Sequence, residues 1–371
     1  MNACAGTVAR CVPPALTASV PGTGCARIPR SVPGEKRPAT DLLRAGFTLV
    51  ELLVTISIIG ILASLVLVGL AGVQETSRAD RTRAMIARLD ALVGERWEAF
   101  KSRRVFVPMV KPPNMTPQQW RQSQSLLMAQ YRLDATRELM RMELPDRKSD
   151  LLAPPVRLPA PPTLWRAYRS AIRRQLLKNK NRALPPENQP SFDQEVAREE
   201  VWSQQHESAE CLYLILSQMV DDERSALEFF AENEVGDVDQ DGMLEVLDGW
   251  GSPIAFLRWA PGFELVGGPQ DGDAPDPFDP RGIYRARGTF ALYPLIFSAG
   301  PNKQFEILVR NPYAAAPLVY SQLVPPNNPF IGLPGYQGIL SLPLGIWEDS
   351  NNDLKNGSLD NITNHGLAGG S

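Results

Sequence analysis

The chain has 371 residues, 43% of them hydrophobic and 21% charged, with a net charge of −3. That length allows one or two domains with a real core, and the near-neutral balance gives no general case for binding nucleic acid or an anionic surface. With only His206 and His365, and with Cys4, Cys11 and Cys25 all near the N-terminus, multi-histidine and cysteine-rich metal sites are excluded. Once the N-terminal stretch is removed, Cys211 is the one thiol left, and no internal disulfide can form.

Residues 1–46 are rich in Pro, Gly, Ala and Arg and show no periodicity; Arg30, Lys36, Arg37 and Arg44 make their end basic. This stretch reads as disordered or as a targeting segment, to be kept out of fold reasoning. From Phe47 to Val73 the only charge is Glu51. As a helix that run is about 40 Å long, enough to cross the hydrocarbon core. Basic residues before it and a large domain after it predict a cytoplasmic N-terminus. A secretory signal has a shorter apolar core with small residues after it, whereas here Gly46 comes first. An acid at that depth costs about 2.5–3.5 kcal/mol on insertion scales, so Glu51 calls for a partner.

The stretch Gly46-Phe47-Thr48-Leu49-Val50-Glu51 resembles the cleavage and methylation motif of type IV pilins and type II secretion pseudopilins. The resemblance implies that a prepilin peptidase cuts after Gly46 and methylates Phe47. It also makes Glu51 the fifth mature residue, able to pair with the new α-amine of a neighbouring subunit in a filament. The 46-residue leader is long for the family, and Val68 stands where many members carry proline.

Beyond Val73 the pattern stays helical but becomes amphipathic: Met85, Ile86, Leu89, Leu92, Val93 and Trp97 recur at three- and four-residue spacings. One continuous helix over 47–101 is expected. The segment 102–235 reads as a mostly helical insertion, with helices at Gln118–Met142 and Leu164–Asn179 between Pro-rich linkers 108–117 and 153–162. A further helix is expected from Phe192 to Asn233, with a break near Val220-Asp221. Charge is segregated: residues 101–182 hold 18 Lys/Arg against 5 Asp/Glu, and 187–248 hold 18 Asp/Glu against 2 Lys/Arg. Two solvated faces that attract each other account for this, or two patches for neighbouring subunits or cargo.

Residues 237–248, DVDQDGMLEVLD, have the spacing of an EF-hand calcium loop. Asp237, Asp239 and Asp241 fall at positions 1, 3 and 5, Gly242 at 6, the Met243 carbonyl at 7, Glu245 at 9 and Asp248 at 12. A hard dication needs six to eight oxygens, and alternate residues of a tight turn aim carboxylates at one centre. Asp at the last position replaces the usual bidentate Glu, and Gly249-Trp250-Gly251-Ser252-Pro253 cannot continue as a helix. Ca²⁺ is the expected cofactor, and an acid-rich turn without an ion is the alternative.

From Asp248 onward strands are expected, at Ile254–Trp259, at Phe263–Val266 and within 293–307 around a turn. Both stretches resemble the C-terminal sheet of G-type pseudopilins, where Asp-x-Trp-Gly-x-Pro precedes one strand and calcium orders a loop. Asp271, Asp273, Asp276 and Asp279 form a second, weaker acidic candidate. The polar tail after Ser350 reads as mobile, or as pinned by Asp353 and Asp360.

No nucleophile elbow, Walker loop or dinucleotide fingerprint is present, so no enzymatic activity is expected. The resemblance implies an α+β fold: a long N-terminal helix, membrane-spanning in its first half, packed on a C-terminal antiparallel sheet (236–371) with the helical insertion between. It implies a structural pseudopilin or pilin-like subunit of a type II secretion or type IV pilus-like system, single-pass in the bacterial inner membrane, with its C-terminal domain periplasmic. Its partners would be prepilin peptidase, other pilin subunits, the inner-membrane assembly platform and lipid, and no nucleic acid. An adhesin or cargo-binding module displayed on a pilin stem is the alternative.

Overall fold

The computed structural model describes residues 47–108, 111, 113–221, 224–260, 263, 274–283, 291, 293–307, 309 and 360–366. The chain forms two compact units, Met1–Leu62 and Ala63–Ser371. Helix α1, Leu49–Ser102, is continuous over 54 residues. It contains an 18-residue window apolar enough to cross a membrane, none of which is buried within the protein.

In the second unit the architecture is α+β. The later part of α1 buries Met85, Ile86, Leu89, Val93, Trp97 and Phe100. Their three- and four-residue spacing puts them on one stripe of the helix. Helix α2, Pro117–Glu143, starts where sequence signals say it should. Thr116 accepts from the Gln119 amide at 3.2 Å, and Gln119 accepts from the Thr116 amide at 3.0 Å. Pro117 fills the first helical position, where no amide is needed. After the short helix α3, Lys148–Leu152, helix α4 runs Thr163–Lys180 and closes on Asn181 in the left-handed conformation.

The long helix expected from Phe192 to Asn233 does not form. Its place is taken by α5, Pro190–Val196, and α6, Glu207–Ser217, then by a hairpin of β1, Val220–Asp221, with β2, Arg224–Ser225, and by two short 3-10 segments. The acidic run Asp221-Asp222-Glu223 explains the stop, because negative charge is unfavourable at a helix C-terminus.

Strands β3, Val235–Gly236, and β4, Glu245–Val246, pair as an antiparallel ribbon. The main sheet is antiparallel in the order β5-β6-β7, with β5 at Ala255–Leu257, β6 at Leu295–Ser298 and β7 at Ile362–Thr363. Its register pairs Ala255 with Phe297 and Phe297 with Thr363. Helix α6 packs closely on β4 and β5. Residues 304–306, expected as a strand, are not one: positive φ at Lys303 and Glu306 breaks the extended path. The third strand comes instead from the tail, held in part by Asp360, which accepts from Asn302 at 3.1 Å. Asp353 and most of the strand expected at Phe263–Val266 lie outside the described residues.

One hydrophobic cluster runs through α1, the helices of 102–235 and the main sheet. A buried ion network joins the helices of 102–235 to the main sheet. Arg258, just after β5, reaches Asp150 at 2.8 Å and Asp146 at 3.5 Å, and Arg141 of α2 lies 3.7 Å from Asp150. Arg258 also donates to the Leu144 carbonyl at 2.7 Å and stacks on Trp259. Burial raises the Asp146 pKa, but Arg147 and Arg258 overcome this and hold it at about 2.

Arg258→Met should cost about 3–5 kcal/mol, because it strands buried carboxylates; an unchanged urea midpoint for the detergent-extracted protein would contradict that role. Gly94 lies inside α1 with open space where a Cβ would stand. Gly94→Ala should therefore raise the same midpoint, by about 0.5–1 kcal/mol of stability.

Candidate functional site

The first unit holds the motif at the start of α1. Thr48 caps the helix, and the Glu51 amide donates to its hydroxyl at 3.2 Å. In return Glu51 Oε2 accepts from the Thr48 amide and hydroxyl, both at 3.0 Å. This is a capping box, which satisfies two helix-terminal donors and places the acid where the helix dipole favours it. Phe47 and Glu51 are exposed. Gly46 lies outside the described residues.

The acidic loop lies in the second unit, closed by β3 and β4. Gln240 and Gly242 have φ of 60° and 101°, which turns the chain sharply. Asp237 accepts from the Gly242 amide at 3.0 Å, Asp241 from Met243 at 2.8 Å and Glu245 from Val238 at 3.1 Å. Neighbouring elements grip the loop. Asn179 and Gln175 of α4 bond Gly242 and Leu244 at 2.8 and 3.1 Å, and the Ser203 amide donates to Asp241 at 2.6 Å.

Two carboxylate trios result, Asp237–Asp239–Glu245 and Glu210–Asp239–Asp241, each with oxygens within 4.8 Å of one another. Asp237 Oδ1, Asp239 Oδ2, Glu245 Oε1 and Glu210 Oε1 are buried without a hydrogen-bond partner. Burial, with Asp241 next, pushes the Glu210 pKa up to about 11. Burial and the neighbouring aspartates push Glu245 up to about 8, and burial raises Asp241. Hard oxygen donors converging on one small volume are the donor set a hard divalent cation takes.

The site differs from the loop pattern in two ways. Asp248 belongs to neither trio: it accepts from the Trp250 and Ser252 amides at 2.9 Å each and from the Ser298 hydroxyl at 2.6 Å. Glu210, absent from the pattern, comes from α6. Its one sequence signal is an acid inside the apolar helix ESAECLYLILS. The Met243 side chain is in the core. In the second acidic candidate, Asp276 pairs with Arg137 and Asp279 accepts from the Ile283 amide at 2.9 Å. Asp271 and Asp273 lie outside the described residues.

The prokaryotic N-terminal methylation motif matches residues 43–67. By that motif and the apolar helix it opens, the start of the chain is similar to that of type IV pilin-like proteins. Processing by prepilin peptidase, membrane anchoring and assembly with other pilin subunits go with the motif. The search of curated proteins and the search of solved structures each returned no match.

The turn that holds Asp248 also meets α1. The Gly249 amide donates to Thr82 at 2.9 Å, and a Cβ on Gly249 would lie 2.6 Å from the Arg78 carbonyl oxygen. Gly249→Ala must push helix and turn apart. It should lower the unfolding midpoint by about 1–3 kcal/mol of stability, and a midpoint equal to wild type would show that the contact is slack.

Proposed function

We propose that this pilin-like chain is a structural subunit of a type II secretion or type IV pilus-like machine. It is inserted in the bacterial inner membrane, processed at Gly46–Phe47 and assembled through its N-terminal helix on an inner-membrane platform, with the second unit in the periplasm. Its role is structural rather than catalytic. The observation that carries this reading is the methylation motif at the head of an apolar helix whose one acid, Glu51, sits five residues into the mature chain. An anchor alone needs no such acid.

The acidic loop is, in this reading, a calcium site that stabilises the periplasmic unit. Support comes from orphaned carboxylate oxygens at Asp237, Asp239 and Glu245. A dication supplies the positive charge that neutralises such a cluster. The alternative of a displayed adhesin or cargo module gains little from the charge segregation. Part of that charge is answered internally, by Arg169 with Asp193, Lys148 with Glu199 and Arg173 with Glu187.

Intact-mass and N-terminal analysis of the membrane-extracted protein should find methylated Phe47 as the first residue. Retention of residues 1–46 would refute the processing. Glu51→Ala should still insert yet lose stem-to-stem cross-links to other subunits; cross-linking at the wild-type level would count against assembly through that acid.

A further inference from the structure

We propose that Glu210 of α6 is a ligand of the calcium ion in loop 237–245, in the place that the loop pattern gives to Asp248. This rests on the calcium reading above and extends it from a loop to a junction between two parts of the fold.

Glu210 is fully buried, and its two oxygens are differently employed. Oε2 accepts from the Trp202 indole nitrogen, which fixes the plane of the carboxylate. Oε1 has no hydrogen-bond partner, and a carboxylate oxygen of Glu210 lies within 4.8 Å of oxygens of Asp239 and Asp241. Asp239 is common to both trios, so the two groups adjoin. The titratable groups that face Glu210 are Asp241, Glu245 and Asp239, all acids. A carboxylate held this way by an indole beside other carboxylates, with one oxygen left without a hydrogen bond, has the arrangement of an oriented metal ligand.

Asp248 cannot take that role without dismantling its own turn. One of its oxygens serves two backbone amides and the other serves Ser298. The loop therefore supplies Asp239 and Asp241 to this trio, and Glu210, on a helix 27 residues earlier than Asp237, completes it. Because α6 packs on β4 and β5, an ion shared by Glu210 and the loop locks that helix to the sheet. The Ser203 amide bond to Asp241 ties the segment before α6 to the same point.

The competing account is a carboxylic acid that stays protonated and only hydrogen-bonds Asp241 and Trp202. The two differ in what Glu210→Gln does, since glutamine keeps the shape and the indole bond but is a poor calcium ligand. The experiment is calorimetric titration of calcium into the full-length, detergent-extracted protein after chelator treatment, with Glu210→Gln, Glu210→Asp and Asp248→Asn in parallel. Glu210→Gln should weaken calcium binding by about tenfold or more, and Asp248→Asn should change it by no more than about twofold. Glu210→Asp, which keeps the charge but shortens the reach, should also bind more weakly. The deciding affinity is that of whichever Glu210 variant keeps the wild-type unfolding midpoint in chelator. Wild-type affinity in that variant overturns the role of Glu210 while leaving the loop as a calcium site. No calcium binding by the wild-type protein overturns both.

Discussion

Six residues of α1, from Met85 to Phe100, form the surface on which the rest of the second unit is assembled. They share one cluster with Leu139, Met140 and Met142 of α2, with Tyr168, Ile172 and Leu176 of α4, and with Phe256, Ile296 and Phe297 of the sheet. Burial of each large side chain contributes about 1.5–3 kcal/mol. Trp97 is the most engaged of the six, with ring contacts to Phe278 and Tyr293. The stripe also explains how so many short strands persist. A two-residue ribbon has almost no stability of its own, so β3–β4 and β7 depend on what they pack against.

Charge in this interior is handled in two opposite ways. Around Arg258, each buried acid has a guanidinium within reach, and Arg258 Nη1 also donates to the Leu144 carbonyl. Glu138 uses another device, accepting from the amides of Val156, Arg157 and Leu158. Both place a positive group or dipole against negative charge, as burial requires. Around Asp239 the acids accept from the Gly242, Met243 and Val238 amides, but the charged neighbours of Glu245 are themselves acids, Asp239, Asp237 and Asp241. Protons or a cation supply the remaining compensation, and those hydrogen bonds preorganise the acids for the second.

What was legible in the sequence follows from how local each signal is. Helices α1, α2 and α4 end within a few residues of where periodicity and the Pro-rich linkers place them, and in the structure Thr116, Pro117 and Asn181 close the ends of α2 and α4 through their own turns. The run CLYLIL reads equally well as helix over a longer span, and the stop is set by charge at Asp221 rather than by any break in apolar spacing. Strand β7 was illegible because Ile362 and Thr363 sit in a polar tail and gain their place only from pairing with β6. Asp248 fits two local patterns at once, a metal loop and an Asx turn. The turn wins because the Trp250 and Ser252 amides are within reach of a short side chain. Glu210 had no spacing to betray it, since its neighbours in the site arrive through tertiary packing.

The motif at the start of α1 obeys the same logic of local against distant partners. The capping box gives Glu51 a partner within its own helix turn, so the acid is not bare before any assembly. The Thr48 amide and hydroxyl that hold it lie beyond the Gly46–Phe47 bond, and cleavage there leaves both donors in place. What cleavage adds is a positive amine at Phe47, one residue ahead of the cap, at the end of the helix where the dipole is already positive. That charge is unfavourable for an isolated helix in an apolar phase, and a carboxylate from another helix relieves it. Glu51 has the capacity for this second role because both capping bonds fall on Oε2. In the proposed reading, the acid of one stem and the freed amine of the next would form a complementary pair, which a repeated head-to-tail contact between identical stems can use at every step.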